Sequence, residues 1–462
     1  MVAVYLTESI SSATVRALNY TPEVEAFRKR GDSENSLTLG ELVSGMGESY
    51  GKVFVRYDCE SGYGEELLTQ SDMFASETCG RIIRGAAIPR LEQQRLSRWQ
   101  VLIAGAGTLG ETELYGRSII VDKRLEGKII GPHAIRLTFP EPGNDISLYA
   151  YAFLCSPTGI RLVRSTSYGT KILSLREDLL RSLPIPLSNK ETLKKVAELI
   201  RTTVKEREKY LEEIQAARAC VEALPEMQDA IAMCQERKGR CVVWDSKLST
   251  MTGWTYASAG KALGYLQKKW KSRLGDVVER DGIYNGPRFA RVSCLPPYGV
   301  DFLSQRDVFL IRPVPRRIRH PGFVDRLLFC PPGTLLLGGH GTLGEREIFG
   351  RVNIADESWI HTAFTQDILR IITSPHFSFL SYSYLSTLVG LRLMRSCAVG
   401  TKILSLRSDL IRALPFPEVS KELHQKINDH MQSAIQARLT AANAEKEAVR
   451  IIEEEVLPEW LA

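Results

Sequence analysis

A tandem duplication of one whole domain is the feature that most constrains how this chain can fold. Residues 107–117 read GTLGETELYGR, and residues 341–351 read GTLGEREIFGR. Residues 169–186 and 400–417 are identical at fourteen of eighteen positions, GTKILSLREDLLRSLPIP against GTKILSLRSDLIRALPFP. One register, offset by 234 residues and then by 231, covers both pairs. A period this long is a repeated domain and not a solenoid repeat.

A fainter match extends the duplication toward the N-terminus. Tyr63-Gly64 recurs as Tyr298-Gly299, and each is followed by Leu, Gln, Asp and Phe at the same spacing. The offset here is 235 residues, which fits the same register. We therefore expect two globular modules with the same internal order of strands.

Each copy is followed by a long, charged segment without glycine, and both segments are predicted to be helices. Ser188 and Glu191 form an S-x-x-E capping box at the start of the first. Apolar residues recur every three, four or seven positions, which gives a narrow stripe that buries itself against one partner helix. The stripes are Leu193, Ile200, Val204, Leu211 and Ile214 in the first segment, and Ile427, Met431, Ile435, Leu439, Ala442, Val449, Ile452 and Val456 in the second.

Because isolated helices of this kind are marginal in water, we expect the two to pair with each other, antiparallel. Pro225 and Pro458 are predicted to end them. Some 36 residues of helix measure about 55 Å at 1.5 Å per residue.

Between these helices, short apolar runs are broken by Gly, Pro and Asp, which is typical of strands and turns. The predicted fold class is therefore α/β (α+β) modules in tandem duplication, separated by an antiparallel pair of long coiled-coil helices. The predicted boundaries are 1–187 for the first module, 188–225 for the central helix, 226–417 for a linker with the second module, and 418–462 for the C-terminal helix.

Composition bounds the partners and the compartment. A formal charge of +6 and a pI near 8.7 favour a polyanionic partner. The nine cysteines form no CxxC pair, the first twenty residues lack the basic start and apolar core of a signal peptide, and no apolar run reaches membrane-spanning length. We expect a soluble protein of the cytoplasm.

A glycine motif resembles a dinucleotide-binding fingerprint, but its context predicts something else. Residues 101–110 read VLIAGAGTLG, which contains G-x-G-x-x-G. That motif needs a helix directly after the glycines to hold a pyrophosphate. Here Gly116 comes too soon and Ile119 to Val121 suggest another strand, so we predict a strand, a glycine turn and a strand. No cofactor is expected.

Three further motifs point weakly to catalysis, and none supports it. Residues 295–298 read LPPY, similar to the D/N/S-P-P-Y motif of DNA amino-methyltransferases, but leucine cannot accept a hydrogen bond from an amine. The spacing of Glu226, Glu236 and Lys238 resembles the acidic residue and E-x-K motif of metal-dependent nucleases. These residues are predicted to lie at a helix end and in a polar linker, where their side chains would not converge on a metal ion. His424 and His430 are six residues apart and match no metal-ligand pattern. We predict no catalytic residue and no metal site.

Two modules, each followed by L-P-x-P and a long helix, resemble the specificity subunit of Type I restriction–modification enzymes. The segments that carry the resemblance are 102–110 and 336–344, similar to the family's strand and G-T-x-G, and 169–186 and 400–417, similar to the end of its target recognition domains.

The resemblance implies a non-catalytic, DNA-sequence-recognition subunit of a Type I-like restriction–modification or related phage-defence complex. Each module would be a target recognition domain that reads half of a bipartite site in double-stranded DNA. The helices would space the modules and dock DNA adenine methyltransferase (modification) subunits, two of them, and a motor–endonuclease subunit would join the assembly. DNA methylation by the complex would follow.

Three groups of residues are the candidates for DNA contact, because phosphate contacts supply affinity and base edges supply specificity. They are Arg81 and Arg84 in CGRIIRG, Arg312, Arg316, Arg317 and Arg319 in RPVPRRIRHPG, and Tyr168, Lys171 and Lys402 around the repeated Gly-Thr-Lys turn. Modules that read different sequences must differ at their base-reading positions. The shared segments are therefore predicted to be framework or phosphate contacts.

Two other classes of function stay open from the sequence. One is a scaffold whose modules bind RNA or another protein. The other is a nuclease or methyltransferase that acts alone.

Overall fold

A computed structural model describes residues 16–31, 36–48, 54–60, 62–235, 253–323 and 325–462. The chain divides into two compact units. Unit 1 consists of Met1–Glu208 and Thr440–Ala462, and unit 2 of Lys209–Leu439. Each long helix therefore contributes one part to each unit.

Unit 1 is built on one four-stranded and two three-stranded sheets. In order, their strands are Gly45–Glu48, Ala134–Thr138, Val101–Ala104 and Ser118–Ile120; then Arg81–Ile83, Glu65–Leu68 and Ile129–Ile130; then Ser167–Gly169, Leu173–Leu175 and Ala106–Gly107. All pairs are antiparallel except Glu65–Leu68 with Ile129–Ile130. Ser36–Thr38 pairs with Pro184–Pro186 and closes the unit.

Unit 2 repeats the three larger sheets, and a single bridge between Arg273 and Pro415 takes the place of the two-stranded one. Its strands, in the same order, are Val278–Asn285, Ile368–Thr373, Leu335–Gly338 and Val352–Ile354; Arg316–Ile318, Val300–Leu303 and Thr362–Phe364; Ala398–Val399, Leu404–Leu406 and His340–Gly341. Again one pair is parallel, Val300–Leu303 with Thr362–Phe364. The predicted tandem α+β modules are confirmed.

Helices cover one side of each four-stranded sheet and form most of the buried core. The α-helices before the first long one are Pro22–Arg30, Leu39–Leu42, Leu91–Gln94, Asp145–Cys155, Pro157–Arg164 and Glu177–Arg181. Those between the two long helices are Pro225–Gln235, Gly253–Lys269 (interrupted at Gly260), Leu274–Val277, Asp325–Leu328, Ser378–Leu385, Leu388–Ser396 and Ser408–Arg412. Single 3₁₀ turns are Ala17–Tyr20, Asp72–Phe74, Gly85–Ala87, Asp307–Phe309, Glu357–Trp359 and Pro375–Phe377.

Over the described ranges, no single helix has the length and apolarity to cross a membrane. The bent pair Asp145–Cys155 and Pro157–Arg164 passes that test only when taken together, and most of its side chains lie in the core of unit 1.

Two arginines in each unit explain why the segment GTLGE…GR is written twice. In unit 1, Arg117 donates through Nε to the carbonyl of Glu113, 3.0 Å away, and through Nη2 to that of Glu111. Arg164 donates to the carbonyls of Tyr115 at 2.8 Å and Glu113 at 2.9 Å. The loop 108–117 has no ladder of its own, so these bonds satisfy its buried carbonyl groups.

The same bonds recur in unit 2. Arg351 donates to the carbonyls of Glu347 at 3.1 Å and Glu345 at 2.7 Å. Arg395 donates to those of Phe349 and Glu347, each at 3.0 Å. The second repeated segment meets this loop, because Leu173–Leu175 pairs with Ala106–Gly107 in unit 1 and Leu404–Leu406 with His340–Gly341 in unit 2.

The first long helix runs over Lys190–Glu222 and the second over Lys421–Ile451. Within unit 2 they are antiparallel: Glu213 bonds to His430 and Ser433, and Leu224 lines the same cavity as Leu423. The carboxyl pKa of Glu213 lies below its usual value, chiefly because His430 donates to it.

Four details of the helix predictions need correction. The first helix is capped by Asn189, whose side chain accepts from the amide of Thr192 at 2.9 Å, and not by Ser188. Pro225 begins a new helix after a two-residue break. Pro458 does not end the second helix, since a π-helical turn, Ile452–Val456, leads into Leu457–Leu461 with Pro458 in its first turn.

In the middle of the second helix, the buried stripe also differs from the one predicted from the sequence. Ala442 is exposed, and Ile435, Leu439 and Val449 are only half-buried. The buried positions are instead alanines, namely Ala434, Ala437, Ala441, Ala444 and Ala448. Small side chains allow close approach of neighbouring backbones, and hydropathy spacing gave more weight to the larger residues.

In unit 1 the two helices are joined by an ion pair buried between them. Arg207 Nη2 lies 2.7 Å from Glu445 Oε2, and the two side chains are only 6% and 7% exposed. Removing one partner leaves the other charge buried without the opposite charge of this pair. We predict that Arg207→Met lowers the free energy of unfolding by about 3–5 kcal/mol, measured by urea denaturation of the full chain.

The double variant Arg207→Met/Glu445→Leu is the matched control. Because it removes both charges and keeps the volume, it should regain most of the stability lost by the single variant. A double variant less stable than Arg207→Met would contradict this assignment.

Candidate nucleic-acid interface

A tight turn stands on the edge of the first three-stranded sheet in unit 1. The amide of Cys59 donates to the carbonyl of Ile82 at 3.2 Å, and the amide of Arg84 to that of Tyr57 at 2.8 Å. After this segment, the amide of Tyr63 donates to the carbonyl of Glu60 at 3.1 Å. We name the residues 60–63 turn 1; Ser61 within it lies outside the described residues.

Unit 2 has a turn of the same construction at the equivalent place. The amide of Cys294 donates to the carbonyl of Arg317 at 3.3 Å, and the amide of Arg319 to that of Val292 at 2.8 Å. The amide of Tyr298 donates to the carbonyl of Leu295 at 3.1 Å. We name the residues 295–298 turn 2.

The glycine after each turn explains the repeated Tyr-Gly pair. A Cβ on Gly64 would lie 2.5 Å from the carbonyl oxygen of Ile83, and one on Gly299 would lie 2.2 Å from that of Ile318. Only glycine fits so close to the neighbouring strand. The preceding side chains point outward instead: Tyr63 is 83% exposed and Tyr298 is 75% exposed.

Two of the predicted DNA-contacting arginines form hydrogen bonds to residues in or near these turns. Arg81 forms two hydrogen bonds to the carboxylate of Asp58, which raise the pKa of its guanidinium. Arg317 donates to Asp301 at 2.9 Å, to the carbonyl of Tyr298 at 2.9 Å and to that of Pro297 at 3.0 Å. Their donors are thus engaged within the chain.

The other predicted arginines lie beside the turns. Arg84 and Arg319 occupy equivalent positions at the ends of strands Arg81–Ile83 and Arg316–Ile318, and both are exposed. Arg316 is exposed as well, and Arg312 is half-buried four residues before it. Within the described part of the chain, no carboxylate pairs with Arg84, Arg316 or Arg319. Each unit therefore presents unneutralised positive charge next to its exposed tyrosine.

The repeated Gly-Thr-Lys segment forms a second projecting element, the tip of a β-hairpin. In unit 1, Tyr168, Lys171 and Ile172 are exposed, and in unit 2 Lys402 and Ile403 are. Gly169 and Gly400 have φ of +94° and +108°, which glycine adopts without strain. The exposed residues 170–172 and 401–403 have the same sequence, Thr-Lys-Ile. Among the described residues, no side-chain hydrogen bond within the fold accounts for this identity.

The predicted site residues thus fall into two groups in each unit, one at the turn and one at the hairpin tip. The sequence did not single out Tyr63, Leu295 or Tyr298 for this role. These residues did appear in the sequence patterns, in the faint Tyr-Gly match and in the LPPY motif. Neither pattern shows whether the side chains are buried or exposed, and their exposure is what makes them candidates.

The motifs that resembled catalytic or cofactor sites have other places in the fold. The strand Val101–Ala104 is followed by the strand Ala106–Gly107, the arginine-held loop and the strand Ser118–Ile120, as predicted. Glu226 lies in the first turn of Pro225–Gln235, while Glu236 and Lys238 lie outside the described residues.

The histidines are also accounted for. His424 stacks on His376 with ring centroids 4.2 Å apart, and burial lowers its pKa. His430 pairs with Glu213 at 2.6 Å. No group of three or more His, Cys, Asp or Glu side chains within the described ranges could hold a metal ion.

Comparisons with known proteins give similarity to solved structures alone. No family model matches the chain, and no curated protein matches it. A similar solved structure is the crystal structure of the S subunit of a Type I restriction–modification system from M. genitalium, with 12% identity, 93% of this chain and 97% of that chain covered, and a TM-score of 0.30.

Two more structures have comparable similarity. The HsdS subunit from Thermoanaerobacter tengcongensis matches with 16% identity, coverage of 91% and 96%, and a TM-score of 0.26. A structure concerned with complex assembly and conformational transition of the type I restriction–modification system matches with 15% identity, coverage of 92% and 97%, and a TM-score of 0.27. All three come from Type I restriction–modification systems.

The support of turn 2 by Arg317 can be tested by amide hydrogen exchange. Arg317→Ala removes donors to two carbonyl groups of the turn, and hydrogen bonds from a charged donor are worth about 1.5–3 kcal/mol. We predict that the amide of Tyr298 exchanges at least about tenfold faster in this variant. Arg316→Ala, which removes a neighbouring arginine without such bonds, should leave the rate unchanged; equal acceleration in both variants would contradict the role of Arg317.

Proposed function

We propose that this chain is the DNA-sequence-recognition subunit of a Type I-like restriction–modification or phage-defence complex, without catalytic activity of its own. The observation that carries the proposal is duplication of an exposed surface. Two units of one topology each present an unneutralised arginine beside an exposed tyrosine turn, and each presents the same exposed Thr-Lys-Ile hairpin tip.

Identical exposed residues in two modules point to a ligand that is the same at both places. A duplex offers such a ligand, because its phosphates are alike at every position while its bases differ. We assign phosphate contacts to Lys171 and Lys402, with Tyr168 beside the former, and to Arg84, Arg316 and Arg319. Arg81 and Arg317 contribute by fixing the turns, and Arg312 adds positive charge to the same segment.

The two modules would each read one half of a bipartite site. A helix of 33 residues, such as Lys190–Glu222, is about 50 Å long, or roughly one and a half turns of B-DNA. We propose that this pair of helices spaces the modules and docks two DNA adenine methyltransferase subunits, with a motor–endonuclease subunit completing the assembly in a prokaryotic cytoplasm. In this scheme residues 1–187 and 226–417 are the target recognition regions, and 188–225 and 418–462 are the spacers.

Co-purification with a methyltransferase subunit encoded beside this chain, followed by methylome mapping, tests the proposal. The expected result is a stable complex that methylates one sequence, specified in two halves with a gap between them. A chain that binds RNA in preference to duplex DNA would favour the scaffold alternative, and methylation or cleavage by the purified chain alone would favour an enzyme. Either result, or a complex without sequence-dependent methylation, refutes the proposal.

The phosphate contacts make a separate prediction about salt. Each lost phosphate contact releases about one counterion fewer, so Arg84→Ala and Arg319→Ala should each weaken duplex binding at all sequences and reduce the slope of log Kd against log salt by about one. Titrations by fluorescence anisotropy over a range of salt concentrations measure this slope.

Arg161→Ala provides the control for charge alone. Arg161 is also exposed in unit 1, but Glu23 lies 2.7 Å from its guanidinium and neutralises it. Its removal should leave the slope as it is in the wild type. The assignment fails if the three variants change the slope alike, or if none changes it.

A further inference from the structure

We infer that turn 2 is a base-reading element of unit 2, with Leu295 contacting the methyl group of a thymine. This inference rests on the proposed function and names a residue that determines its specificity. It concerns a residue other than the arginines and lysines assigned above.

The first step is that turn 2 is held rigidly while its tip is exposed. Arg317 donates to the carbonyls of Tyr298 and Pro297 in this turn, and Cys294 Sγ contacts the carbonyl of Tyr298 at 3.3 Å. Leu295 is nevertheless 79% exposed. A leucine in that position contributes little to the core, whereas a preorganised apolar tip loses little entropy when it meets a ligand.

The second step is that the two turns share a backbone frame but differ in the sequence of their tips. The frame is the same in both, namely the Cys amide bond, the Tyr amide bond and the glycine in close contact with the next strand. The three residues before the tyrosine are unrelated, Glu-Ser-Gly in turn 1 and Leu-Pro-Pro in turn 2. Modules that read different half-sites need this combination of the same backbone frame and different side chains at the tip.

The third step is chemical complementarity. In the major groove, thymine alone presents a methyl group, and apolar side chains recognise it. Tyr63 and Tyr298 are common to both turns, so we assign them a contact that every base or sugar offers, packing of the ring against its face or edge.

The fourth step is position. The amides of Arg84 and Arg319 bond to Tyr57 and Val292, two residues before the cysteine of each turn. Each exposed guanidinium therefore starts from a residue that is hydrogen-bonded to the segment that carries the turn. A phosphate bound there would orient the tip toward the adjacent groove, which is how phosphate contacts set the register for base contacts.

The test uses the complex with its methyltransferase partner and synthetic duplexes of the mapped target. Each thymine of the two half-sites is replaced in turn by deoxyuridine, which removes only the methyl group. For the wild-type chain we expect one such replacement to weaken binding about fourfold, the value of one buried methyl group. For Leu295→Ala, that same replacement should have no further effect.

Ile360→Ala is the matched control, because Ile360 is an exposed apolar residue of unit 2 outside turn 2, and this variant should keep the full deoxyuridine effect. A target in which no thymine methyl group matters, or an effect that persists in Leu295→Ala, overturns the inference.

The two proposals fail in different ways. If the wild-type complex shows no sequence-dependent binding, the recognition function itself is refuted, and the inference with it. If the wild-type complex binds and methylates a defined target while Leu295→Ala keeps the same target, only the assignment of turn 2 is refuted.

Discussion

The fold of each unit depends on the satisfaction of backbone carbonyl groups in a loop that has no strand or helix of its own. Two arginines do this in unit 1, Arg117 and Arg164, and Arg351 and Arg395 do it in unit 2. Arg164 is more than half buried, and burial lowers the pKa of its guanidinium, so its bonds to carbonyl groups offset an energetic cost. The loop they hold leads from the hairpin sheet back to the four-stranded sheet. Without it, the hairpin tip would have no fixed base.

Once the framework is fixed in this way, residues at the turns and the hairpin tips need not serve the fold. This explains why some arginines at the turns are paired with carboxylates while others are exposed. Arg317 and Arg81 lie under the turns and have carboxylate partners, whereas Arg84 and Arg319 lie beside them and have exposed guanidinium groups. The duplicated framework therefore carries two copies of a similar surface, and the turn sequences differ between them. Reading two different stretches of a polyanion is the function that such a surface fits best.

Much of this organisation could be predicted from the sequence, because identity between the two halves reveals a shared fold without any knowledge of its geometry. The modules, the long helices and the strand, glycine turn and strand at 101–120 followed from repeats and spacing. The buried alanines of the second helix could not be predicted, since their burial reflects close helix packing and not hydropathy. The same limit applied to the site: whether an arginine supports a turn or faces solvent depends on a carboxylate distant in sequence, as Asp301 is from Arg317.

The central claim is that two like units read two patches of one duplex at a fixed separation, and the gap between the half-sites tests it most directly. Methylation rates of the assembled complex are measured on duplexes whose gap is lengthened by one to five base pairs while both half-sites stay intact. The account predicts that methylation falls steeply with the first insertions, because each added base pair both lengthens and rotates one half relative to the other. Methylation at an unchanged rate whatever the gap would contradict it.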